Sequence, residues 1–397
     1  MSTTLSPLIP RQAAEWEPAR VVLLCEPRLE TLFALLQTSA ANFLYPFSLA
    51  AGRREHQHFR RTLEALGIRV IDAREALVAA PLERLRAWAR QAVTLQFDNS
   101  LDDASRAQSE SQLQRAIEAL DAEALVELLF LRPEVYLAAN TLALDPTTQR
   151  SARHSVRPAD SAYYVRDPLI TTARGCAITR LQHADRQVEN TIAEHVLEAL
   201  GIAPIYRVQP PGCLEGGDFI PCGDFVLQGQ GLLTNAEGVR QCLEERVYGF
   251  VEVAVVEDPR RSMDEMHLDT YFAMLDRDLA ACCETRLSGA DEPLVHVYLP
   301  EGSPENFRYV LTRSTLFSRY LQEKGVRVIP FSKAEQERFA ANGLLVGPRE
   351  LLLPESVGAG FVARLQAAGV KTHLVPFDTL LGGYGGLHCA SQVLVRS

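Results

Sequence analysis

Residues 163–208 read YYVRDPLITTARGCAITRLQHADRQVENTIAEHVLEALGIAPIYRV. Two short β-type runs, Tyr163 to Ile170 and Gly175 to Thr179, are followed by a helical pattern over His183 to Leu200 and a further β-type run over Ile205 to Val208. The order strand, strand, helix, strand decides the class. Upstream, Val21 to Cys25 precedes a helix over Leu29 to Thr38, and an amphipathic stretch from Arg54 to Leu66 leads into Arg69 to Asp72. Downstream, strands are expected at Phe219 to Leu227, Phe250 to Val256, Thr270 to Leu275, Val295 to Leu299, Val326 to Pro330 and Leu351 to Leu353. Helices are expected over Ala236 to Val247, Ser314 to Lys324 and Ser356 to Ala368, the last ending at Gly369 as a C-cap requires. The chain reads as α/β, with a repeat of element order and none of residue identity.

One segment breaks the alternation. From Ala76 to Leu144 the pattern reads helical: Leu113, Ile117 and Leu120 share one face, and Asp121 caps a second helix carrying Leu125, Leu128 and Leu129. A polar, turn-rich stretch with Asp145-Pro146 and Ser155 to Asp160 returns the chain to the α/β body. The division is therefore 1–75 as a first module, 76–155 as an inserted helical subdomain, and 156–397 as the remaining modules.

Composition narrows the partners. The chain has 397 residues, 47% of them hydrophobic and 23% charged, enough for a large core. With 40 Lys and Arg against 50 Asp and Glu, the formal net charge of −10 argues against a nucleic-acid binder and suits small cationic partners. Apolar runs such as Val21 to Cys25 and Leu128 to Leu131 are too short to span a membrane, and residues 1–14 lack the basic and apolar regions of an export signal. A soluble, cytoplasmic protein is expected; whether it forms homo-oligomers the sequence leaves open. The eight cysteines contain no CxxC pair and read as reduced thiols, with Cys282-Cys283, after a helical Asp276 to Ala281, as core. No His or Cys pair has structural-zinc spacing, and His56 and His58 read as a solvated helix face, so neither metal nor cofactor is expected.

Four stretches place ionisable residues beside glycines or at strand ends: Arg166-Asp167-Pro168, Glu215-Gly216-Gly217-Asp218, His267-Leu268-Asp269-Thr270 and Gly385-Gly386-Leu387-His388-Cys389. Singly, each reads as a turn, a solvated bend or two polar residues on one side of a strand. Together, three carboxylates would repel one another unless a cation filled the space between them. A guanidinium, planar and carrying five N–H donors, suits Asp167, Glu215 and Asp269. Its carbon is a poor electrophile, and a thiolate is the common side chain able to attack it. Cys389, after a Gly-Gly pair that permits close approach, is the candidate nucleophile, and His267 the acid/base.

In this order the motifs resemble those of the guanidino-group-modifying, pentein superfamily, and most closely the arginine deiminase family. Asn42-Phe43-Leu44, Arg186-Gln187-Val188-Glu189 opening a helix, and the helical insertion extend the resemblance over most of the chain. The resemblance implies a five-bladed α/β propeller with its site where strand ends from each module converge. It implies hydrolytic deimination, L-arginine to L-citrulline and ammonia, through a thiouronium on Cys389, with water as co-substrate. Arg186, Asp218, His388 and Asn42 are the implied substrate contacts, although Asp218 also reads as a support of its bend and His388 as packing beside the nucleophile. The family's usual Arg, Arg and Asn at three substrate-contact positions are here Leu233, His388 and Ser161. Reaction type is thus better supported than substrate. Agmatine-like or derivatised guanidines, a dihydrolase and an amidinotransferase stay open, the last disfavoured by Ala390-Ser391 after the cysteine, and a non-catalytic guanidinium binder is the reading from another class.

Overall fold

The computed structural model describes residues 8–139, 150–303 and 306–397. Among these, six sheets form, and in five of them one scheme repeats. A central strand pairs antiparallel with one neighbour and, after a helical crossover, parallel with another. The scheme is complete in Leu169–Thr172, Gly175–Ile178 and Tyr206–Arg207, with the helix Gln187–Ala199 as crossover. It recurs in Phe219–Pro221, Phe225–Gln230 and Glu252–Glu257, in Phe272–Asp276, Leu279–Cys283 and Arg327–Phe331, and in Leu344–Gly347, Glu350–Pro354 and Lys371–Val375. The fifth instance joins the two ends of the described chain. Ala19–Leu24 pairs parallel with Arg69–Asp72 and antiparallel with Gln392–Arg396. No closed barrel forms among the described strands.

Short, doubly covered strands explain why the sequence runs are apolar on both faces: Leu169–Thr172, Gly175–Ile178 and Leu344–Gly347 are buried at every position. The helices carry one buried stripe each, as Val188, Ile192 and Val196 do in Gln187–Ala199. Helix Ala359–Ala367 ends as expected just before Gly369, whose φ of +81° is the left-handed conformation that glycine adopts without strain. None of the described helices is long and apolar enough to cross a membrane.

Several expectations are corrected. The segment read as wholly helical does contain helices Leu82–Ala92, Asp103–Ala119 and Ala122–Leu131, but it also carries the sixth sheet, Thr94–Phe97, Pro133–Ala139 and Arg150–Val156. Pro133–Ala139 is half-buried at every position and Arg150–Val156 is exposed over most of its length, so neither shows a clean alternation. The Asp145-Pro146 turn and residues 1–7 of the N-terminal reading lie outside the described residues. Asp276 to Ala281 is not helical: Leu279–Cys283 is a central strand, although its two cysteines are core as expected. Ser314 belongs to a strand, Asn306–Leu316, which forms a hairpin with Leu294–Ser303 and extends one sheet to five strands; the helix begins only at Phe317. His56 is buried on helix Leu49–Ala65, while His58 is exposed.

Candidate active site

The same place in each of the five repeating sheets supplies a polar residue. Asp167 precedes strand Leu169–Thr172, Glu215 precedes Phe219–Pro221, and His267 and Asp269 precede Phe272–Asp276. Asn342 precedes Leu344–Gly347 and Cys389 precedes Gln392–Arg396. Four of the five positions are the sequence motifs; Asn342 is the fifth, and no motif marked it.

Close backbone approach holds these segments together. A Cβ on Gly217 would lie 2.6 Å from Nδ1 of His267, and one on Gly386 would lie 2.6 Å from the carbonyl of Asn342. The glycines are there because the neighbouring motif occupies the space of a side chain. Asn342 is the staple: its Oδ1 accepts from the backbone N–H of Gly386 (2.9 Å) and of Cys389 (3.2 Å), its carbonyl accepts from His388 N–H (3.1 Å), and its Nδ2 donates to the Asp269 carbonyl (3.2 Å). The His267 segment differs from expectation. His267 is extended, but Leu268–Thr270 is a single 3₁₀ turn, so Asp269 reaches the site by a turn and not by a shared strand face.

The thiol of Cys389 lies 3.7 Å from Oδ2 of Asp269. Burial, and after it the negative charges of Asp269 and Asp167, push this thiol well above its ordinary range. His267 Nε2 is 3.0 Å from Oε2 of Glu215, and its Nδ1 is 3.9 Å from Oδ1 of Asp167. Burial opposes a charged imidazole, but the Glu215 hydrogen bond with the charges of Asp167 and Asp218 outweighs it and pushes His267 up to about 10. Glu215 is lowered despite burial by that same hydrogen bond, and Gln182 N–H donates to its other oxygen at 2.9 Å. At neutral pH the resting site therefore holds an imidazolium and a neutral thiol. Asp218, raised to about 6 by burial, accepts from Leu268 N–H at 2.8 Å and so supports the bend that carries His267.

Arg186 is the occupant of the cage. Its Nη2 lies 3.0 Å from Oδ2 of Asp167 and 2.7 Å from Oε2 of Glu189, its Nε donates to the second Glu189 oxygen at 2.9 Å, and its Nη1 is 3.9 Å from Glu215. The helical Arg186-Gln187-Val188-Glu189 spacing contains that pair, since residues three apart share a helix face. Arg186, Asn42, Ser161, Leu233, His267 and Cys389 all border one chamber, which has about 40 Å³ of free volume with Arg186 in this position. His388 stands elsewhere. Its Nδ1 is 2.7 Å from Oδ2 of Asp269 and its Nε2 3.7 Å from buried Glu15, which is itself paired with Arg396 at 3.1 Å. His388 thus braces Asp269 from behind and does not border the chamber.

Three carboxylate oxygens of the site are left over. Oδ1 of Asp167, Oδ1 of Asp269 and Oδ2 of Asp218 are buried and accept no hydrogen bond, the first two belonging to the residues whose charges act on the Cys389 thiol. A buried acceptor without a donor costs roughly 1–3 kcal/mol, more for a charged group, so these atoms mark where a donor-rich ligand belongs. Asp167, Glu215 and His267 could also each present one atom to a metal ion, these atoms lying within 4.8 Å of one another.

The model of the arginine deiminase family matches residues 43–396. The chain is 24% identical to the arginine deiminase of Clostridium perfringens, over 88% of each chain, and 23% identical to that of Halobacterium salinarum, over 97% of this chain and 96% of the other. Among solved structures, the fold is similar to that of the Pseudomonas aeruginosa dimethylarginine dimethylaminohydrolase in complex with citrulline (TM-score 0.55, 15% identity, 94% of this chain and 99% of the other). It is also similar to a saxitoxin-pathway amidinotransferase of Microseira wollei (TM-score 0.58, 13% identity, 98% and 97%). These likenesses are of the α/β pentein fold. With the family match spanning nearly the whole chain, the protein belongs to the arginine deiminase family, whose members hydrolyse carbon–nitrogen bonds in linear amidines.

Proposed function

We propose that the chain deiminates a guanidino compound, L-arginine to L-citrulline and ammonia being the reaction in view. The observation that carries this is the pair of orphaned oxygens, Oδ1 of Asp167 and Oδ1 of Asp269, buried beside the Cys389 thiol. A guanidinium offers N–H donors to both at once while its carbon faces the sulfur. Arrival of that cation lifts the penalty on a thiolate, so Cys389 loses its proton to solvent and forms a C–S bond. His267 gives its proton to the departing nitrogen, which leaves as ammonia when the C–N bond breaks. The neutral imidazole then takes a proton from water as the oxygen attacks the thiouronium carbon, and C–S cleavage returns the thiolate and releases the ureido product.

The five-bladed propeller with modules 1–75 and 156–397, interrupted by 76–155, belongs to the same reading. Its support is the recurrence of one pairing scheme in five sheets, each lending a residue from the same place. Arginine, agmatine and acylated arginines, incubated with the protein while ammonia, ureido product and amidine transfer to added amines are measured, test the reaction. Ammonia and ureido product in equal amounts, without amidine transfer, are expected; transfer to an amine, or release of two ammonia per substrate, overturns deimination in favour of the amidinotransferase or dihydrolase.

A further inference from the structure

The chamber does not end at Arg186. Beside it lies a second cavity of about 490 Å³, which shares Ala41, Asn42, His183 and Arg186 with the chamber and is otherwise bordered by the first helix, Leu29–Leu36, and the residues just after it, by Arg132 of the inserted segment, and by residues that follow that segment. Arg186, with Ala41, Asn42 and His183, stands between the two, so the far end of a substrate that leaves the chamber past Arg186 meets this outer space.

The charges there are unbalanced. Arg132, at the left-handed C-terminus of helix Ala122–Leu131, borders the outer cavity half-buried and, among the described residues, has no hydrogen bond or ion pair through its guanidinium. Its neighbour Arg157 borders the same cavity and takes the nearby carboxylate, Glu134, at 2.6 Å, so that Glu134 acts on Arg132 only at longer range. Asp160 and Asp185 also border the cavity, Asp160 accepting from the Ser161 hydroxyl at 3.3 Å. Burial and, after it, the adjacent Arg157 weaken the hold of Arg132 on its proton by more than Glu134 strengthens it. Arg186, by contrast, is engaged along its Nε–Nη2 edge by Glu189 and through Nη2 by Asp167, and Leu233 offers the chamber no charge. Of the three arginines that border the outer cavity, Arg132 is the one without such a partner among the described residues.

We infer that the outer cavity is a specificity subsite for an anionic extension on the amino-acid end of the guanidino substrate, with Arg132 as its anchor. The preferred substrate is then an arginine carrying a carboxylate-bearing acyl group on its α-nitrogen, not free arginine. This rests on the guanidino chemistry proposed above. A carboxylate there replaces an unpaired half-buried guanidinium by a charge-assisted, bidentate pair.

The test uses three ligands that differ only in the tail: Nα-(3-carboxypropanoyl)arginine, Nα-acetylarginine and Nα-(4-aminobutanoyl)arginine. Turnover is measured in wild type, Arg132→Gln and Arg132→Glu. Equilibrium binding of the same compounds is measured by calorimetry in Cys389→Ser, alone and with each Arg132 change. Wild type should favour the carboxylate tail over acetyl by about tenfold or more, Arg132→Gln should level the two, and Arg132→Glu should favour the amine tail. An inverted preference cannot come from a loosened fold. Equal handling of all three tails in wild type, or a preference for the carboxylate that survives Arg132→Glu, overturns the subsite. Absence of turnover with every compound would instead count against deimination, and the calorimetric preference would still decide the subsite.

Discussion

Arg186 Nη2 sits 3.0 Å from Oδ2 of Asp167, so one of the protein's own guanidinium groups holds a carboxylate proposed above for the guanidinium of a substrate. Entry of substrate requires that this contact open, while Glu189 keeps the Arg186 side chain nearby. Replacing Arg186 by alanine frees Asp167 and enlarges the chamber, at the expense of whatever Arg186 lends to a substrate carboxylate. The ratio of kcat/KM for agmatine, which has no carboxylate, to that for arginine should rise by about tenfold or more in Arg186→Ala. An unchanged ratio would mean that Arg186 does not meet the substrate's carboxylate, and unchanged kcat/KM for agmatine itself would mean that it does not compete for the cage.

Cys389 should be a poor nucleophile until a cation arrives. Because burial, Asp269 and Asp167 all raise its pKa, alkylation by iodoacetamide should reach half its limiting rate well above pH 9, the ordinary thiol value. In Cys389→Ser, turnover should vanish while guanidine binding persists, and acid-quenched wild type should yield a mass adduct on the peptide that contains Cys389. A free-enzyme thiol that alkylates rapidly at pH 7 contradicts the resting state described above.

Protonation of His267 ties stability to pH. Its pKa in the folded protein, about 10, lies above the ordinary 6.5, so the folded state binds the proton more tightly than the unfolded chain does. That contribution is complete below pH 6.5 and is lost as pH rises through about 10. Urea midpoints of wild type should therefore fall over this window relative to those of His267→Gln, which lacks the titrating group. Parallel curves for the two proteins would show that His267 is not held as an imidazolium.

Asn342 carries two backbone donors on one oxygen. Asn342→Ala leaves the N–H groups of Gly386 and Cys389 without an acceptor, which should destabilise the fold by about 2 kcal/mol or more and lower kcat at least about tenfold. Asn342→Asp keeps the acceptor. Stability should then recover only in part, because the Nδ2 donor to the Asp269 carbonyl is replaced by a second acceptor, while kcat stays low, since a further negative charge beneath the thiol disfavours thiolate. Recovery of both together would reduce Asn342 to a structural part.

Asp167, Glu215 and His267 could ligate a metal ion, but Arg186 already lies against both carboxylates, and His267 carries a proton that a ligand must give up. Exhaustive chelation should leave the rate unchanged. Loss of activity that a divalent ion restores would put a metal where the guanidinium is placed here.

Sequence and structure agree most where chemistry constrains residue type. Asp167, Glu215, His267, Asp269 and Cys389 could be picked out because carboxylate, imidazole and thiol stand beside glycines, and the structure brings all five together. Asn342 escaped because an amide that bonds backbone carries no charge pattern; its only signal is its place, two residues before a strand like Asp167. His388 was read from its neighbour's chemistry, whereas its direction is decided by Asp269 at 2.7 Å, with Glu15 further off, both far away in sequence and near in space. The sheet inside the helical insertion was hidden for a different reason: its strands are half-exposed, and alternation fades when neither face is dry.

The pairing of Ala19–Leu24 with Gln392–Arg396 has a consequence for how such a chain becomes active during its synthesis. Leu23 stands opposite Gln392, three residues beyond Cys389, so the seat of the thiol is finished only when the ribosome has delivered nearly all of the sequence described here. Every carboxylate of the cage is translated earlier, and Arg186 with them. The nascent protein can thus assemble and neutralise its acidic cluster before any reactive sulfur is in place, and a prematurely terminated chain would carry the cage without the thiol.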